Sequence, residues 1–208
     1  LDFVDKKRFG VTGRSGGGAY SWWISALDER IKVACPVAGI ADLRNHVYAG
    51  FPNSGRLAHG TVEGHCDCMF HVNTYRWDFA QVAALVAPRP LMILNTDDDR
   101  IFPLDGVNRI FNQVRKIYDL HGARDKLGLV ITPGGHSDTQ PLRVPAFNWF
   151  NRHLKGEEPP ITITAKKLFE PEQLRVFKKL PADEINTKIQ DSFVRLADDK
   201  KPLKPKKA

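Results

Sequence analysis

Apolar residues in this chain fall into short continuous runs separated by longer stretches with helical spacing. Phe9 to Thr12 reads as a short buried strand, and Ile31 to Val37 as the next. Between them Gly16 to Leu27 has the spacing of a helix, with Ala19, Trp22, Trp23 and Ala26 on its apolar side. Gly39 to Asp42 leaves the sheet. Leu91 to Leu94, behind Pro88 and Pro90, is a fully apolar run and predicts a strand buried on both faces. Val107, Ile110, Phe111, Val114, Ile117 and Tyr118 mark a helix over Leu104 to Leu120. Leu127 to Ile131 predicts a further strand. Arg143 to Leu154 predicts the last helix of this part, with Ala146, Phe147, Trp149 and Phe150 as its core contacts. Strands alternating with helices predict an α/β fold: a parallel sheet with helices on both faces. Ligands of such sheets bind outside the carboxyl ends of the strands.

Two regions break the alternation. Residues 43–87 are irregular and aromatic, punctuated by Gly50, Pro52, Gly55, Gly60 and Gly64. They are too long for a simple connection and read as an insertion, with helical spacing returning at Asp78 to Val86. The composition shifts again after residue 155. Residues 1–155 are therefore taken as the core and 156–208 as a C-terminal arm. Ile161 to Thr164 suits an edge strand. Ile185, Ile189, Phe193 and Leu196 predict a helix over Pro181 to Ala197, followed by a basic disordered end.

Hydrophobic residues make up 42% and charged residues 26%, so the chain reads as a soluble globular domain with an appendage. No run is long enough to span a bilayer, and no membrane role is expected. The opening residues, Leu1 to Arg8, carry no signal peptide and no initiator Met, so the localisation stays open. The net charge is +7, and 13 basic against 9 acidic residues lie from Lys155 onward. That tail lacks interleaved aromatic platforms, so a solvated end is expected and not nucleic-acid binding. Three cysteines, Cys35, Cys66 and Cys68, form no disulfide framework. His59, His65, Cys66, Cys68 and His71 cluster in the insertion. The Cys-x-Cys spacing is tighter than zinc sites use, so no metal and no cofactor is expected.

The chemistry centres on Gly13-Arg14-Ser15-Gly16-Gly17, a G-x-S-x-G between a predicted strand and a predicted helix. That context suits a nucleophile elbow, where a strained turn lifts the serine clear of the sheet. Gly13 and Gly17 are expected to be glycine because side chains there would collide. A serine nucleophile needs a base, and the base needs an orienting carboxylate. His136, after a Gly-Gly pair beyond the last strand, is the expected base. The histidines at 46, 59, 65, 71, 121 and 153 lack that setting. The residues alone leave Asp97, Asp98 and Asp99 open as the acid.

The order Ser, Asp, His is that of the α/β-hydrolases, and three stretches resemble their catalytic stations: Gly13 to Gly17, Asp99 to Pro103, and Gly134 to Ser137. The wording around Val11 to Gly18, Val72 to Asp78 and Asn95 to Asp105 is similar to the acetyl xylan esterase-like, prolyl oligopeptidase-related branch. The resemblance runs from about Phe9 to Leu154. It places the acid four residues before a proline, and Pro103 then selects Asp99. It implies a serine carboxylesterase acting on short acyl esters such as acetylated carbohydrate, through Ser15, His136 and Asp99. It also implies an oxyanion donor at the backbone N–H of Gly16. Arg14 either meets substrate or anchors the insertion. Tyr75 and Trp77 either wall the substrate site or pack in the core.

The resemblance covers only the later part of that fold. With 14 residues before Ser15, the usual N-terminal strands, and the loop that gives the second oxyanion donor, are not in this sequence. Either a longer protein, a partner chain or a reduced fold with an exposed edge accounts for this. Such an edge predicts a homo-oligomer, most simply a dimer. The alternatives to an esterase are a prolyl oligopeptidase-type peptidase and a non-catalytic half-domain that pairs with another chain.

Overall fold

A computed structural model of the chain describes residues 2–48, 75–156 and 160–193. The chain divides into two compact units, Leu1–Lys166 and Lys167–Ala208. In the first, four parallel strands stand side by side in sequence order. They are β1 (Phe9–Arg14), β2 (Ile31–Val37), β3 (Leu91–Thr96) and β4 (Leu127–Thr132). Among the described residues five α-helices connect or flank them: α1 (Gly16–Leu27), α2 (Leu43–Tyr48), α3 (Phe79–Ala84), α4 (Leu104–Leu120) and α5 (Gln140–Phe150). Among the described residues no helix is long and apolar enough to cross a membrane.

Strand alternation sorts the core into two layers. Ala34, Leu91 and Ile93 point to one face, where they meet Ala19 and Trp22 of α1, Phe79 and Val82 of α3, and Val107, Ile110 and Val114 of α4. Val33, Cys35, Val37, Met92 and Leu94 point to the other, where they meet Leu142, Ala146 and Trp149 of α5. Both faces of β2 and β3 are therefore covered, which is why these two strands read as unbroken apolar runs. β1 is an outer strand, half-buried, and no described strand pairs with its other edge.

Local chemistry sets several boundaries. α3 starts at a capping box: Asp78 accepts from the N–H of Phe79, and Gln81 Oε1 accepts from the N–H of Asp78. The same Asp78 carboxylate accepts from the N–H of Leu43, tying the two described ends of the insertion together. Arg109 of α4 adds a second tie through Asp42, Asn45 and Asp105. α5 starts earlier than the pattern predicts, with Pro141 in its first turn, where a missing N–H costs nothing. A π-turn over Asn151–Lys155 and left-handed Gly156 then end it.

Two expectations fail. Ile161 to Thr164 is no strand. The backbone groups of Ile161 bond the Asn148 side chain, and the N–H of Thr164 donates to Gln140 Oε1, so α5 side chains satisfy what a ladder would have satisfied. This holds the segment to the first unit, which runs on to Lys166. The helix over Pro181 to Ala197 is absent from its described part, which has only a 3-10 turn at Ile189–Ser192. Ile185, Ile189 and Phe193 are exposed there, and a short helix without a buried face is marginal in water. The described part of the second unit has one further 3-10 turn, Pro171–Leu174.

Arg89 was not singled out by any sequence pattern, yet it gathers four carbonyls. Its guanidinium donates to Ser25, Asp28, Ile31 and Leu85 oxygens at 2.6, 3.2, 2.7 and 3.3 Å. Those oxygens lie at the last turns of α1 and α3 and at the start of β2, where carbonyls lack helical partners. Arg89→Ala is expected to lower stability by about 2–4 kcal/mol in urea unfolding, since charge-assisted bonds to partly buried groups are lost together. Arg89→Lys should rescue little, because an ammonium cannot span four acceptors. A loss below ~1 kcal/mol would mean that water replaces the guanidinium.

Candidate active site

The turn between β1 and α1 carries Ser15 at φ 59°, ψ −120°, a left-handed conformation that costs a non-glycine residue about 1–3 kcal/mol. The neighbouring strand holds it there: the N–H of Ser15 donates to both Val37 O (3.0 Å) and Ala38 O (3.1 Å). Ala38 itself sits at φ 44°. Gly16 opens α1 at once, so its N–H is one of the first-turn donors without a helical acceptor.

The glycines divide differently from the expectation. A Cβ on Gly13 would lie 2.7 Å from the Gly17 backbone, as predicted, but a Cβ on Gly17 would meet nothing within 4 Å. The crowded positions are Gly18, whose Cβ would lie 2.4 Å from Val37 O, and Gly39, whose Cβ would lie 2.5 Å from Gly18. Close approach of the first turn of α1 to the end of β2 demands both. No pattern local to either residue announces that contact, because the partners come from separate segments.

Asp99 follows β3 and is fully buried. Its Oδ1 accepts from the N–H groups of Ile101 (2.8 Å) and Phe102 (3.0 Å), which fixes the carboxylate plane. Its Oδ2 lies 2.9 Å from Nδ1 of His136. An ionised carboxylate only accepts, so Nδ1 is the nitrogen that donates to Asp99, and in the neutral ring Nε2 is then the one with the lone pair. Phe102 lies flat beside the imidazole, ring centroids 5.9 Å apart, a contact the sequence did not suggest. Asp97 and Asp98 are exposed. Burial is what separates the three aspartates.

Ser15 and His136 leave from the two outer strands, three strand spacings or roughly 14 Å apart. The loop after β4 turns back over the end of β3. Its Gly134 bonds residues beyond β3, and its Asp138 lines one cavity of about 290 Å³ with Thr12, Gly13 and Val37 of β1 and β2. The loop and the end of β1 thus share this cavity, and no hydrogen bond joins Ser15 Oγ to His136 among the described residues.

The remaining candidates separate clearly. Arg14 is exposed at the end of β1, and its side chain makes no hydrogen bond among the described residues. Tyr75 and Trp77 are exposed and stack on each other at 5.4 Å, which rules out the core reading for both. Trp22 is buried, donates from Nε1 to Gly39 O, and stacks on Trp23, so this pair is core. Cys35 is buried under α5, and desolvation pushes its thiol far up, away from reactivity. His153 is held below the usual histidine range by burial and by the nearby Arg152. The cluster His59, His65, Cys66, Cys68 and His71 lies outside the described residues.

Comparison with known proteins agrees with this architecture. The model of the prolyl oligopeptidase family matches residues 1–155. The chain is 31% identical over 153 residues to "Putative hydrolase YtaP" of Bacillus subtilis (strain 168), covering 73% of this chain and 48% of that protein. Among solved structures it is similar to a carbohydrate esterase family 15 glucuronoyl esterase from Caldicellulosiruptor kristjansonii. The TM-score is 0.60 at 22% identity, over 82% of this chain and 50% of that one. It is also similar to the glucuronoyl esterase catalytic domain from Hypocrea jecorina, with a TM-score of 0.57 at 18% identity over 86% and 53% of the two chains. At such identities these structures speak for the fold alone. The chain spans about half the length of each of these proteins. The parallel sheet, the serine elbow and the family match agree: the chain belongs to the prolyl oligopeptidase family of α/β-hydrolases.

Proposed function

We propose that this chain carries the catalytic machinery of a serine carboxylesterase for short acyl esters. The observation that supports this reading is the buried Asp99 carboxylate on His136 Nδ1, together with a strained Ser15 at the turn between β1 and α1. In this reading His136 Nε2 takes the proton from Ser15 Oγ as Oγ attacks the ester carbonyl. The oxyanion gathers the N–H of Gly16. Collapse releases the alcohol, protonated by His136, and leaves an acyl-serine. Water, deprotonated by His136, then attacks the acyl carbon; the bond to Ser15 Oγ breaks, His136 returns the proton to Oγ, and the acid is freed. Asp99 orients the imidazole and stabilises its charged form throughout. A single oxyanion donor leaves about 3 kcal/mol of stabilisation to be supplied by a second.

The motifs similar to those of acetyl xylan esterases support an ester of a carbohydrate as substrate, and the family's name supports a peptidase as the second reading. The distinguishing experiment is turnover of p-nitrophenyl acetate, p-nitrophenyl butyrate and a proline-containing anilide by the purified protein. Acetate is expected to turn over fastest. Cleavage of the anilide alone would favour the peptidase, and no turnover of any substrate would favour a non-catalytic half-domain.

We further propose a two-fold dimer in which β1 pairs antiparallel with its own copy, because its outer edge has free backbone groups among the described residues. Sedimentation equilibrium at micromolar concentration should then give twice the chain mass of 23.4 kDa. A clean monomer would end the idea.

A further inference from the structure

The loop that carries His136 hangs on three consecutive residues at the tip of β3. Thr96 is fully buried, and its hydroxyl donates to Gly135 O at 3.0 Å. Asp97 Oδ1 accepts from the N–H of Gly134 at 3.0 Å, while its own N–H donates to Thr132 O. The N–H of Asp98 donates to Gly134 O, again at 3.0 Å. Packing does not hold this stretch. A Cβ on Gly134 would meet nothing within 4 Å, and one on Gly135 would meet only Asp98 O at 3.9 Å. Gly134 is also at φ 128°, a region open to glycine and little else. Two glycines with empty space around them would leave the imidazole free to wander, and the hydrogen bonds remove that freedom.

We infer that Thr96 and Asp97 are positioning residues for His136: they fix the two glycines before it and so set where Nε2 points. Thr96 pins Gly135 by its carbonyl, and Asp97 pins Gly134 by its amide. Asp99 then has only to orient a ring whose backbone is already placed. For turnover this rests on His136 being the base. The placement of the imidazole stands apart from that role.

The test uses Thr96→Val, which keeps the shape and removes the hydroxyl, Thr96→Ser, which restores it, and Asp97→Ala at an exposed site. A displacement of about 1 Å at a reacting group costs up to ~100-fold. Thr96→Val or Asp97→Ala should each lower kcat on p-nitrophenyl acetate by roughly 10-fold, with KM within about twofold, and the pair by roughly 100-fold. Thr96→Ser should recover most of the loss. Proton NMR supplies a readout that needs no turnover. The His136 Nδ1 proton, sharp in the parent protein, should be lost to solvent exchange in the double variant and return with Thr96→Ser. Unchanged kcat and an unchanged Nδ1 resonance in a folded Asp97→Ala protein would overturn the inference. So would a Thr96→Ser variant as impaired as Thr96→Val. A parent protein with no esterase turnover would refute the proposed function and leave the NMR comparison to decide the positioning role.

Discussion

The Ser15→Ala variant should lose ester hydrolysis by a factor on the order of 10⁴ to 10⁶ while keeping its fold. The loss follows from removing the only atom able to form the acyl intermediate in the proposed scheme. The fold should survive because the bonds that hold the elbow come from the main chain: the N–H of Ser15 serves Val37 and Ala38, and its carbonyl accepts from Ala19. Alanine at φ 59° inherits much the same backbone strain. A melting temperature within a few degrees of the parent is therefore expected. Labelling with an organophosphonate should be stoichiometric at Ser15 in the parent and absent in the variant. Labelling that persists in the variant at another serine would remove Ser15 from its role.

Asp99→Asn should lower kcat by about 10⁴. The two N–H groups of Ile101 and Phe102 already select an oxygen on their side of the group. They turn the new amide so that its NH₂ faces His136. Nδ1 must then accept, the ring proton moves to Nε2, and the lone pair that should take the serine proton is gone. Asp97→Asn and Asp98→Asn should cost far less. An asparagine at 97 still offers a carbonyl oxygen to Gly134, and Asp98 meets that residue through its main chain. Losses of similar size at all three positions would show that the assigned acid is wrong.

What was legible in the sequence had a hydrophobic period with a surface to bury against. The four strands and the helices α1, α3, α4 and α5 each show one, and their positions came out within a few residues. The serine, the histidine and the loops that present them were legible because each follows directly on an apolar run. The second unit shows the limit of the same signal. Ile185, Ile189 and Phe193 have helical spacing but remain exposed, and spacing alone does not make a helix. Ile161 to Thr164 alternates like a strand, but its hydrogen bonds were taken by Asn148 and Gln140, side chains that a strand pattern does not consult. The choice among Asp97, Asp98 and Asp99 needed the family resemblance, since composition is identical and burial differs. Gly18 and Gly39 went unread because their constraint is a contact between two segments, and Gly17 was over-read because the motif places it symmetrically with Gly13.

The hydrogen bond that the Ser15 N–H shares between Val37 O and Ala38 O bears on how the protein is made. During synthesis the serine leaves the ribosome before the residues that hold its backbone in the left-handed region. Until β2 has emerged and docked, nothing opposes relaxation of that turn to an ordinary extended or helical shape. The nascent chain therefore presents an unremarkable serine in a glycine-rich stretch, and the raised, strained hydroxyl comes into being only with the β1–β2 pair. Reagents that seek an activated serine, organophosphonates among them, should leave unlabelled every stalled chain in which β2 has not docked and, in the proposed scheme, every chain that stops short of His136.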